Sequence, residues 1–162
     1  MRRIINQFKE PIYKDDLLNA TIYGILHMVL FGILGGAIQY FLMGNFNASF
    51  SVVIYMVAYM IAKGIADKIY TYHILYSVMS VVLFLIGFLI YKTAFYAFAT
   101  RDILNSFLYV FSWDGIKIFL FGFLNINTYH GISILYNIID IIFFIFCLLT
   151  VWRLPKRRKW LY

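Results

Sequence analysis

Charge is what this sequence has least of: Asp, Glu, Lys and Arg together make up 13% of its 162 residues. A soluble domain keeps about a quarter of its residues charged to hold its surface in water, so a soluble enzyme is excluded. With 64% of residues hydrophobic and a mean hydropathy of +0.83, a disordered or fibrous chain is excluded too. Cysteine is scarcer still. Cys147 is the single one and lies inside an apolar run, so there is no intrachain disulfide, no CxxC redox pair and no cysteine zinc site. Proline occurs only as Pro11 and Pro155; the first limits a short amphipathic helix expected over residues 3–14, and the second is expected to help stop the last apolar run.

Acids are half as numerous as bases, 7 Asp and Glu against 14 Lys and Arg, giving a net charge of +7. In a soluble protein this balance would raise the question of nucleic acid. Here the cations sit in short clusters at the ends of apolar runs, which is how membrane proteins set orientation and meet anionic headgroups. The expected partners are therefore membrane lipids and another membrane protein or a second copy of the chain, and not nucleic acid. Catalytic patterns are missing as well: no HExxH, no GxS context for Ser77 or Ser80, no glycine-rich phosphate loop, and one carboxylate within a span where aspartyl chemistry needs two. The expectation is a non-enzymatic protein without cofactor or metal, in which His73 and His130 are lone interfacial histidines.

What is abundant is apolar helix. The runs predict one all-α polytopic membrane domain: a basic cytoplasmic segment 1–16, spans at 17–43, 49–66 and 74–98, an outer interfacial or re-entrant segment 101–131, a fourth span at 132–152, and a basic cytoplasmic tail 153–162. The basic N-terminus is followed by 27 largely apolar residues with no small-residue cleavage site, so the first run is expected to stay as an anchor. Asp15, Asp16 and Asn19 offer caps at its start, and Gly44-Asn45-Phe46-Asn47 is turn chemistry at its end. Asp114 and Lys117 would sit near the centre of any span over 103–124, at about 2.5 to 3.5 kcal/mol each, so that stretch reads as two short helices, 103–112 and 116–124. With four spans and both termini inside, 11 Lys and Arg lie on the inner side and three, Lys92, Arg101 and Lys117, on the outer. A five-span chain would separate the C-terminal KRRK cluster from the N-terminal MRR.

Three groups of residues stand out. Gly32, Gly35 and Gly36 in the first span, and Ala58, Ala62 and Ala66 in the second, are small residues at one-turn spacing, which mark close helix contact in lipid. Asp140 lies 12 residues before Trp152, about 18 Å along the helix and so near the midplane. A carboxylate there needs a proton or a partner; Asn137 shares its face, and His27, at comparable depth in the first span, is the natural partner. Arg153, Lys156, Arg157, Arg158 and Lys159 form a tail suited to anionic headgroups. The leading expectation is a subunit or interaction partner in a membrane complex; the alternative is a small oligomeric channel or transporter with a proton or cation site at Asp140 and His27.

Overall fold

The computed structural model describes residues 12–46, 51–121 and 131–157, of which 44–46, 51, 119–121, 131–140 and 157 are described by their backbone alone. These residues form six helices and, among themselves, no strand: α1 Lys14–Phe46, α2 Ser51–Ala66, α3 Ile74–Thr100, α4 Ile103–Val110, α5 Trp113–Phe121 and α6 Gly131–Arg157. Two of them, over Lys14–Met43 and Ile74–Thr100, are long and apolar enough to cross a membrane, with mean hydropathies of 1.9 and 2.5. Val52–Ala66 is a shorter apolar helix.

The helix starts are set by side chains that take up free backbone N–H groups. Asp15 and Asp16 sit in the first turn of α1, where a negative charge meets the positive end of the helix dipole. His73 precedes α3 in extended conformation, and its Nδ1 accepts the Leu75 N–H at 3.1 Å. Asp102 does the same for α4, accepting the Asn105 N–H at 3.0 Å, and Ser112 Oγ accepts the Gly115 N–H at 3.0 Å before α5. Inside the apolar helices, Thr21, Ser80 and Thr93 turn their hydroxyls back to the carbonyls of Leu17, Tyr76 and Leu89, so these three hydroxyls are satisfied within their own helices.

The four long helices alternate in direction. α2 and α3 each pack on both α1 and α6, whereas among the described residues α1 and α6 have no extensive contact. Glycine decides how closely α1 meets α3. A Cβ added to Gly36 would lie 2.5 Å from the Tyr91 carbonyl oxygen and 2.8 Å from the Phe95 nitrogen, so backbone touches backbone there. Two apolar clusters fill the space between helices. One joins Met28, Ile61, Ile65, Leu83 and Phe88 across α1, α2 and α3; the other joins Ala58, Ala62, Phe84, Cys147 and Val151 across α2, α3 and α6.

Several boundaries differ from the expectation. Pro155 does not stop the last helix, which continues to Arg157. Proline removes one N–H, the one that would reach the Val151 carbonyl, and so close to a helix end that loss is small beside the burial of the ring. Gly44 and Asn45 lie within α1, which ends only at Phe46. The two short helices run over 103–110 and 113–121, not 103–112 and 116–124. Ser112 caps α5, Asp114 falls in its first turn, and a Cβ on Gly115 would collide with the Tyr109 carbonyl, so the chain turns before Trp113-Asp114-Gly115.

Candidate functional site

The densest set of buried polar groups lies where α1 begins, the loop between α2 and α3 passes, and α6 ends. Asp16 is 5% exposed, although it stands in a first turn next to the exposed Asp15. Its Oδ2 accepts the Tyr70 N–H at 3.0 Å, which pins the loop to α1. One turn into α3, Ser77 Oγ donates to the Trp152 carbonyl of α6 at 2.8 Å. A hydroxyl has one hydrogen; the Tyr72 hydroxyl, 3.0 Å from Ser77 Oγ, is therefore the donor in that second bond. Burial raises the Tyr72 phenol above its ordinary pKa, only partly offset by the bond to Ser77, which keeps the phenol neutral and able to donate.

Around this relay the cations pack on rings. Lys156 Nζ lies 4.9 Å from the Trp152 ring and 5.7 Å from that of Tyr72, and Lys68 Nζ lies 3.9 Å from Tyr23. His73 is buried, its Nδ1 an acceptor, so the proton of its neutral ring sits on Nε2. Tyr76 is 1% exposed and its hydroxyl has no hydrogen-bond partner among the described residues, within electrostatic reach of Asp16. Beside them Tyr70 is 94% exposed. The result is a polar clasp that ties three long helices at one end and holds an aromatic side chain outward on a fixed loop.

The residues singled out from the sequence are placed as follows. His27 is half-buried; its Nδ1–H donates to the Tyr23 carbonyl at 2.8 Å, its ring covers Gly64 of α2, and it lies 5.5 Å from the Phe31 ring. Asn137 and Asp140 belong to α6, but their side chains lie outside the described residues. Gly32 and Gly36 lie against α3, and Gly35 against Val57 of α2 and Tyr91 of α3. Ala58 and Ala62 face Phe84, Cys147 and Val151, so the glycine and alanine stripes do not meet each other; Ala66 is buried near the end of α2. Arg153 is exposed and Lys156 half-buried; the Arg157 side chain, Arg158, Lys159 and His130 lie outside the described residues, as do residues 3–11 of the segment expected as an amphipathic helix, whose last residue, Lys14, begins α1.

Of the clasp residues, the sequence marks Asp16 only as a cap and Ser77 only as a serine without a catalytic context, and it does not single out Tyr70 or Tyr72. The available signal was the density of hydrogen-bonding side chains between Asp67 and Ser77, a short stretch between two apolar runs. Among the described residues no three His, Cys, Asp or Glu side chains gather as a metal ion would require. No family model matches the chain, and no curated protein or solved structure matches it either.

Proposed function

We propose that the chain is an integral membrane protein with four transmembrane helices, α1, α2, α3 and α6, both termini on the inner face, serving as a non-enzymatic subunit or interaction partner in a membrane complex. Its membrane placement is supported by an inside-out distribution of bulk. Large apolar side chains such as Leu18, Ile25, Leu30, Phe41, Val82 and Phe146 stand outward, while glycine and alanine bring the helices together. The count of cations on the two sides supports the orientation.

One observation carries the role as a partner. At the inner end the buried polar groups are engaged in holding helices, and the loop they fix presents Tyr70 almost fully exposed. A rigid aromatic on a pinned loop has little conformational entropy to lose on contact, which is what an anchor residue of an interface needs. Arg153 on α6 adds an exposed cation at the same end, suited to anionic headgroups or an acidic partner surface.

The test is purification of the tagged full-length chain from its native membrane in lipid nanodiscs, with mass analysis of what accompanies it. The expected result is a stoichiometric second membrane protein whose yield falls several-fold in Tyr70→Ala, with the helix content of the chain unchanged. A homogeneous homo-oligomer without partner, showing pH-dependent flux that Asp140→Asn abolishes, would overturn this reading in favour of a channel or transporter.

A further inference from the structure

At the end of α3 away from the clasp, a cleft of about 720 Å³ opens between α1, α3 and the short helix α4. Its origin can be followed residue by residue. Gly32 and Gly36 draw α1 onto α3 as far as Ala94. Beyond that point Tyr40 meets Phe98 at 6.0 Å and Phe95 at 6.5 Å, and these rings hold the two helices apart. Arg101 then takes a left-handed conformation, φ 59°, and reverses the chain so that α4 folds back on α3. Ala94 and Ala97 leave the floor of the cleft open, and Ile33, Ile90 and Phe107 wall it.

The chemistry of the lining is lopsided. Thr93 is a polar group on the wall, but its hydroxyl hydrogen is given to the Leu89 carbonyl at 3.0 Å and so it offers an anion no donor. Arg101 is the one cation of the lining; it is exposed and makes no ion pair among the described residues. The adjacent carboxylate of Asp102 is turned to the start of α4, where it accepts from the Asn105 N–H and the Asn105 side chain. A cavity of this size is within the range of about 300–1,000 Å³ that holds a small ligand. Apolar walls with a free guanidinium at one end fit a hydrocarbon chain carrying a phosphate, which Arg binds through two parallel N–H donors.

We propose that this cleft is a binding site for one anionic phospholipid, its acyl chain lying over Ala94 and Ala97 and its phosphodiester headgroup at Arg101. The inference rests on the membrane placement proposed above. The left-handed backbone at Arg101 favours glycine, so Arg101→Gly removes the charge without straining the fold and is the variant of choice. The chain is reconstituted in nanodiscs of equimolar phosphatidylglycerol and phosphatidylcholine, and the lipid retained by the purified protein is measured by native mass spectrometry. Wild type is expected to retain phosphatidylglycerol about fivefold or more over phosphatidylcholine, the effect of one cation near an anionic headgroup. Arg101→Gly should bring the ratio near unity and Arg101→Lys should keep part of it. Ala97→Phe, which fills the floor, should lose the bound lipid while keeping the charge. Lys117→Gln, whose ammonium lies over Trp113 on α5, should change nothing. Equal retention of both lipids by wild type, or an undiminished preference in Arg101→Gly, overturns the proposal. A chain that never enters the bilayer and stays in the alkaline-carbonate supernatant would instead contradict the membrane placement itself.

Discussion

The two ends of α3 are built on different physics. At its start, three long helices are held by directional bonds between buried polar atoms: Asp16 to the Tyr70 N–H, Tyr72 to Ser77, and Ser77 to the Trp152 carbonyl. Towards its end, α1 and α3 are held by contact, with Gly36 flush against the backbone of Tyr91 and Phe95, and the chain opens into a cleft where that contact stops. Hydrogen bonds specify which groups pair, whereas small-residue contact specifies only how near two helices come. The first positions the loop between α2 and α3, and the second sets the spacing of α1 and α3.

The comparison is broken most severely at the contact end. Gly36→Leu places carbon against a carbonyl oxygen and a backbone nitrogen that cannot rotate away, and the loss is expected at about 3 kcal/mol or more. The chain should fail to give a monodisperse peak in detergent. Gly24→Ala, whose nearest neighbours are side-chain atoms of Leu83 and Ile65 and not backbone, should still give one.

A smaller effect is expected at the clasp. Ser77→Ala leaves the Tyr72 hydroxyl and an acceptor site on the Trp152 carbonyl without their shared partner, at about 1–3 kcal/mol. Tyr76→Phe deletes a buried hydroxyl that has no partner among the described residues and should be neutral or stabilising by about 1 kcal/mol. Unfolding in mixed micelles with increasing dodecyl sulfate measures both. Equal losses from the two variants would mean that the clasp is held by packing after all.

The smallest effect belongs to the cap between α3 and α4. The Asn105 backbone N–H, followed by its side-chain amide, holds the Asp102 carboxyl below the ordinary carboxylate range. A carboxyl depressed on folding contributes in full above its unfolded pKa, and the contribution fades as pH falls through the lower folded value. Amide hydrogen exchange over α4, corrected for intrinsic rates, should therefore stay slow down to the ordinary carboxylate range and quicken only in stronger acid. Asp102→Ala should show the quicker exchange at every pH, with the clasp unaffected in both cases.

The positions of the long helices were legible because an apolar run longer than a bilayer is thick leaves few alternatives to helix. The 3.6-residue spacing also exposed Gly32 and Gly36 as a contact stripe. It carried no information about the partner, because spacing fixes a face of one helix and says nothing of which helix lies opposite. Pairing His27 with Asp140 rests on depth along the helix axis and not on direction around it; the His27 ring lies over Gly64, and the Asp140 side chain lies outside the described residues. The clasp was illegible for a related reason. Its bonds join residues 54 and 75 apart in sequence, and no local periodicity marks an Asp in one first turn as the acceptor for a loop beyond the next helix. Pro155 shows propensity overridden by position, since a proline near a helix end forfeits one bond while its ring finds a buried site.

The two long-range bonds of the clasp also impose an order on biogenesis. A chain emerges from its N-terminus, so Asp16 can meet Tyr70 as soon as α3 begins, long before α6 has been made. Ser77 must wait for Trp152, and until then Tyr72 has only half of its relay and the Ala58 and Ala62 face of α2 stands uncovered. The order of synthesis alone therefore makes the Asp16 bond available before the Ser77 bond, and the Ala58 and Ala62 face of α2 is completed only when Cys147 and Val151 of α6 reach it.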